Sequence, residues 1–180
     1  SRVDSGSGLA YGWEAQIKKR RGRLTGSLSY TYGRSIRTFE EINRGEPFSY
    51  RYDRKHDISV SSVFHLNPRV NLGALWIYGT GNAITLPLEG FLDNDGNEVL
   101  NFEARNNYRL PPYHRFDLSL NYNREFGNYK FNLSLGAYNT YNRQNPYYVY
   151  LYQNPETENF TVRQVSVFPV LPYINVRLKL

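Results

Sequence analysis

Three short stretches of this 180-residue chain concentrate the residue types that chemistry needs. The first is Asp53-Arg54-Lys55-His56-Asp57, where an imidazole stands next to a carboxylate. Such a pair can move a proton, but no nucleophile stands at a supporting spacing. The cluster sits where a polar segment enters a strand, so the expectation is a hydrogen-bond and ion-pair network at a sheet rim. The second is Asp93–Glu98, "DNDGNE", which opens like a calcium loop. An EF-hand loop closes with a bidentate Glu at its twelfth position, and counting from Asp93 that position is Ala104. A Gly-containing exposed turn is therefore expected. The third, His114-Arg115-Asp117, marks another loop-to-strand entry. There is no phosphate loop and no zinc spacing. The absence of cysteine excludes disulfides, thiolate metal sites and a Cys nucleophile. Neither an enzyme nor a cofactor is expected. The loop aromatics are the better binding candidates: Tyr147, Tyr148, Tyr150 and Tyr152 in one segment, and Phe48, Tyr50 and Tyr52 in another. Tyr faces stack on ligands and on partner proteins, and they also pack loop against loop.

The elements that must position these residues are strands. From Arg115 to Asn139, Phe116, Leu118, Leu120 and Tyr122 alternate with Arg115, Asp117, Ser119, Asn121 and Asn123. After a turn, Phe131, Leu133, Leu135 and Ala137 alternate with Lys130, Asn132, Ser134 and Gly136. Period-two alternation defines strands with one apolar and one polar face. The pattern recurs over Leu9–Lys18, Leu24–Tyr32, about His56–Leu66 and Val70–Tyr78, and again in the tail Ile174, Val176, Leu178. The final stretch, about Phe160–Leu180, reads as one strand interrupted by Pro169 and Pro172. Short turns near Arg21, Asn67 and Gly127 alternate with long segments starting near Thr38, Thr80 and Asn142. A meander then places every short turn on one rim and every long loop on the other. Outer-membrane barrels sort their loops this way.

Bulk properties permit that reading. Mean hydropathy is −0.63 and 40% of residues are apolar. A membrane barrel does not betray itself by hydropathy, because its strands alternate. No apolar run reaches the ~18 residues of a membrane helix, and no signal peptide opens the chain. Net charge is +6, with Lys18, Lys19, Arg20, Arg21 and Arg23 forming the densest basic run. It falls on a strand end and turn with no recognition helix, so nucleic acid is not an expected partner. Tyr11, Trp13, Tyr32, Trp76 and Tyr78 fall near the long-loop rim, and Tyr122 and Tyr129 near the other, as interface girdles do. The apolar face is then expected to meet lipid, while Arg115, Asp117, Ser119, Asn121, Lys130, Asn132 and Ser134 face a lumen. About seven strands are countable. Seven leave two edges that lipid does not tolerate, so either "NPYYVYLY" hides a further strand or the chain is part of a larger barrel; the latter is favoured.

Several stretches carry a family resemblance: "GRLTGSLSYTYGRS", "YRYDRKHDISVSS", "WIYGTGNAITLP", "NNYRLPPYHRFDLSLNY", "YNTYNRQNPYY" and "VSVFPVLPYINVRLKL". Together they resemble the C-terminal barrel of Bacteroidetes-type TonB-dependent outer-membrane receptors. That resemblance implies an all-β, antiparallel up-and-down transmembrane barrel of about twenty-two strands, with residues 1–180 supplying seven or eight of them and the plug domain preceding residue 1. It also implies TonB-driven import of a large nutrient, with TonB contacted through the missing part and a SusD-like lipoprotein as a further partner. One departure is the terminal Leu180, where the family usually ends in an aromatic residue. Two alternatives stay open on the residues alone: a small self-contained outer-membrane barrel acting as an adhesin or structural protein, and a soluble carbohydrate-binding β-sandwich.

Overall fold

In a computed structural model of the chain, residues 5–87, 89–92, 98–154 and 160–180 are described. Among them fourteen strands form: β1 (Gly6–Lys19), β2 (Leu24–Phe39), β3 (Phe48–Ser49), β4 (His56–His65), β5 (Val70–Gly79), β6 (Ala83–Ile84), β7 (Glu89–Leu92), β8 (Glu98–Asn101), β9 (Tyr108–Arg109), β10 (Tyr113–Phe126), β11 (Tyr129–Tyr138), β12 (Pro146–Gln153), β13 (Phe160–Ser166) and β14 (Leu171–Lys179). The main sheet runs β1-β2-β4-β5-β10-β11-β14, every pair antiparallel, with β3 added beside β2. The expected meander is present, with short turns on one rim and all three long connections on the other.

Local chemistry explains the short turns. The Asn67 carboxamide oxygen accepts from the amides of Arg69 and Val70, both at 2.9 Å, closing an Asx turn around Pro68. Gly127 takes φ 57°, the left-handed value that a two-residue hairpin needs at its first central position. Phe126 therefore pairs directly with Tyr129.

Register turns the alternation into continuous rows. One row reads Ile17–Leu28–Val60–Trp76–Phe116, and another Leu24–Phe64–Leu72–Leu120–Leu135–Ile174. On the opposite face lie rows such as Asn71–Asn121–Ser134–Asn175. These polar residues bond to one another. Asn121 Nδ2 donates to Asn71 Oδ1 at 3.0 Å and to Ser119 Oγ at 3.2 Å. Asn132 Nδ2 donates to Asn123 Oδ1 at 2.7 Å, and the Ser27 and Ser61 hydroxyls lie 2.8 Å apart. Arg115 bonds Asp117 at 2.9 Å and lies over the Tyr138 ring; Lys130 reaches Glu125 at 3.1 Å. Arg115, Asp117, Ser119, Asn121, Lys130, Asn132 and Ser134 share this face of the sheet. The imperfection visible in the sequence is also present: Leu75 and Ile77 share rows with Asp117 and Arg115.

No second layer covers the apolar face of the main sheet among the described residues. Among the described residues the buried apolar side chains are Phe48, Ala83 and Leu86, all in the connections above the long-loop rim. Ile17 and Ile174, in contrast, are each 69% exposed. The outermost strands β1 and β14 do not pair with each other, so the sheet is open.

One expectation needs correction. The stretch read as a single final strand is two: β13 turns back along β12 in a separate hairpin, and only β14 joins the main sheet. Phe168, at φ 63°, and Pro169 lie in the break between them, whereas Pro172, also expected to interrupt the strand, sits within β14 opposite Ala137. "NPYYVYLY" does contain a strand, β12, but as part of that hairpin and not as an eighth member of the main ladder. The calcium-like Asp93–Asn97 lies outside the described residues.

Candidate functional site: an arginine-aromatic cleft above the rim

Beyond the level where β4 begins opposite Tyr32, β2 continues upward through Phe39. This overhang and the two long connections beside it enclose a cleft of about 330 Å³. Arg37 and Phe39 come from β2, Phe48, Tyr50 and Arg51 from the following connection, Ala83 to Thr85 from the start of the next, and Arg105 and Asn106 from its far end.

The first anchor is Asp53, whose side chain is fully buried. Its Oδ1 accepts from the Ser35 amide at 2.7 Å and its Oδ2 from Arg109 Nη2 at 2.6 Å. Arg34 Nε stands 3.9 Å away. Arg109 also donates to the carbonyls of Asp53 and Gly81 and to Ser49 Oγ. One guanidinium thus ties together both long connections. Burial pushes the Asp53 carboxyl up, but the Ser35 amide, the Arg109 hydrogen bond and the charges of Arg34 and Arg109 outweigh it and hold the group below its ordinary value. Gly81 is required here: a Cβ would stand 1.8 Å from the Leu110 carbonyl oxygen.

Asparagines supply the rest. Asn43 donates through Nδ2 to the Arg105 carbonyl at 3.2 Å and accepts from the Arg105 amide at 2.6 Å. Asn106, at φ 55°, donates to the Ser49 carbonyl at 2.7 Å, and its amide donates to Thr85 Oγ1 at 3.0 Å. Asn107 clasps Leu86 through both backbone groups at 2.9 Å. Such side-chain-to-backbone bonds replace the ladder that an irregular loop lacks. They fix the cleft before any ligand arrives.

The aromatic candidates divide. Phe48 and Tyr50 line the cleft; Tyr52 lies beside it, in edge contact with Tyr50 at 5.5 Å and beneath the Arg51 guanidinium at 5.0 Å. Arg37 lies 4.8 Å over the Tyr50 ring, and Phe39 stacks on Phe48 at 6.3 Å. Tyr147, Tyr148, Tyr150 and Tyr152 instead stand on β12, which pairs with β13 and no strand of the main sheet. Tyr148 neighbours Tyr150 at 6.0 Å, and Arg163 lies 3.4 Å over the Tyr152 ring. Tyr147 remains mostly exposed. The structure does not bring the two aromatic groups into one site.

The His56–Asp57 pair is no dyad. Successive residues of a strand point to opposite faces; His56 Nδ1 lies 2.8 Å from the Tyr30 hydroxyl, while Asp57 pairs with Arg54 at 3.1 Å. His114 likewise meets the Tyr141 hydroxyl at 2.7 Å on the face away from Arg115 and Asp117. Among the described residues no three His, Asp or Glu side chains gather at metal-ligand distance. A second knot stands over β10 and β11. Asn139, wholly buried at φ 53°, accepts from the Arg143 amide and donates to the carbonyls of Arg143 and Phe168. Asn145 clasps both backbone groups of His114.

Sequence reasoning missed Arg37, Arg51, Arg105 and Arg109. Arg109 stands fifty-six residues from Asp53 and Arg105 sixty-two from Asn43, so no local pattern joins them. Comparison with protein-family models, curated proteins and solved structures finds no match for this chain.

Proposed function

We propose that this chain forms wall and extracellular loops of a TonB-dependent receptor in the bacterial outer membrane. In this reading it takes part in importing a large nutrient such as a glycan, peptide or metal chelate. The observation that carries the reading is the uncovered apolar face. Leu28, Val60, Leu72, Leu118, Leu120, Leu135, Ile174 and Val176 all remain exposed on one side of a sheet whose other side is a hydrogen-bonded polar ladder. At roughly 25 cal/mol per Å² of apolar surface left in water, such a face forgoes several kcal/mol, a large share of a domain's marginal stability. Hydrocarbon removes the deficit without a second layer. The positions of the aromatics agree. Trp13 packs edge-on to Tyr30 at 4.9 Å, and Trp76 stacks on Tyr78 at 6.1 Å, toward the long-loop rim; Tyr122 and Tyr129 lie toward the other. The two unpaired sheet edges call for further strands, because lipid cannot satisfy their backbone groups. In this arrangement the Asp53-pinned cleft faces outward, where a nutrient is first met. TonB acts through a plug outside residues 1–180, and a SusD-like lipoprotein is a further partner by resemblance.

The test is flotation of the full-length protein with liposomes after urea wash, together with quenching of Trp13 and Trp76 by brominated lipids. Flotation with quenching at both positions is expected. A protein that stays in the aqueous fraction, its tryptophans unquenched, overturns the reading.

A further inference from the structure

We propose that the cleft binds carboxylates carried on a ring, as in an acidic saccharide or an aromatic acid. This names the ligand class of the site described above; import of that ligand rests on the receptor reading, but its binding does not. Three arginines, Arg37, Arg51 and Arg105, line the cleft from three separate segments, and none of the described residues lining it is acidic. Arginine stays charged at any working pH and presents a planar fork that matches a carboxylate. Like charges brought together are unfavourable unless an anion joins them. Beside them stand Tyr50 and the Phe39–Phe48 stack, flat faces suited to a ring. Arg37 already lies over Tyr50, so cation and ring face are presented together. The volume, about 330 Å³, lies at the small end for ligand sites and takes one or two rings of a ligand at once, any further ring remaining outside. The walls are set in advance by Asn43 and Asn106, so little ordering cost falls on the ligand.

Calorimetric titration of the full-length protein in detergent micelles tests this with four probes: trigalacturonate, trimesate, citrate and maltotriose. At least one ring acid should bind about tenfold more tightly than both citrate and maltotriose. Arg37→Gln and Arg105→Gln should each weaken that binding about tenfold, since a charged hydrogen bond contributes on that order. Arg37→Lys keeps charge without the fork and should recover only part. Arg21→Gln, in a turn on the opposite rim, removes equal charge and should change nothing. Preference for trigalacturonate identifies a saccharide source; preference for trimesate identifies an aromatic one. Citrate binding as well as either ring acid would reduce the cleft to a general anion site and overturn the proposal. Maltotriose binding equally, or equal loss in Arg21→Gln, would do the same, as would binding by no probe. Retained strand signal in circular dichroism separates lost binding from lost folding, and Arg37→Lys serves if a Gln variant fails that control. A protein that floats with liposomes but binds nothing sinks this proposal alone. One that binds but stays soluble sinks the membrane reading and leaves the cleft intact.

Discussion

The main sheet and the connections above its rim invert each other. In the sheet, Leu, Ile and Val lie exposed in rows while Ser, Asn and charged residues bond one another on the opposite face. Above the rim, Asp53, Asn139 and Asn145 are buried among the described residues, beside Phe48, Ala83 and Leu86. The difference teaches that one chain is built for two surroundings. The loops follow aqueous rules, in which buried polar groups are bonded: Asp53, Asn139 and Asn145 all are, and among the described residues Arg34 Nε and Arg143 Nε are the exceptions. The sheet breaks those rules throughout its length, and it stops doing so where β4, β5 and β10 meet the loops.

The sharpest way to break this comparison is Leu118→Arg against Ser119→Arg, neighbours on opposite faces of β10. If hydrocarbon covers the first face, Leu118→Arg costs about 3 kcal/mol of folding free energy in lipid vesicles and Ser119→Arg far less. Urea titration of both variants reads this, and equal costs would erase the distinction. Next in size is Asp53→Asn, which leaves Arg109 facing a neutral amide. Removing one member of a buried pair costs about 3–5 kcal/mol, and since Arg109 is partly exposed the expected loss is about 2 kcal/mol, confined to the loops. Hydrogen exchange should speed up at Ser35 and Arg109 while β10 and β11 keep their protection. The same anchor gives a pH dependence. Because the folded carboxyl is held below its ordinary value, its contribution is complete at neutral pH. That contribution is lost only as pH falls beneath about 4 toward the depressed value, so acid should loosen the loops before the sheet. The smallest effect belongs to Arg54→Ala. Its partner Asp57 is half exposed at the rim, and such pairs contribute about 0.5 kcal/mol at most. A loss well above 1 kcal/mol would show that the rim is drier than its exposure implies.

The sheet was legible in the sequence because period two is a local signal. Phe116 to Tyr122 and Phe131 to Ala137 announce their faces within eight residues, and register merely aligns them. Tyr50 and Phe48 were legible as aromatics, though not as the wall of a cleft. What could not be read were pairings over long separations: Asp53 with Arg109, Asn43 with Arg105, Asn106 with Ser49. A single Asn or Arg in a polar stretch carries no mark of the backbone it will clasp. The misjudged tail has a similar cause. Phe160 and Val162, then Val165 and Val167, alternate as Ile174 and Val176 do, so the pattern alone hides the reversal near Pro169.

The Arg109 guanidinium holds four oxygen atoms drawn from Ser49, Asp53 and Gly81. It acts as a rivet through two flaps, so neither can lift without the other. Traction on one side of the mouth would be felt at the other, and the mouth would open in a single jump, not by gradual fraying.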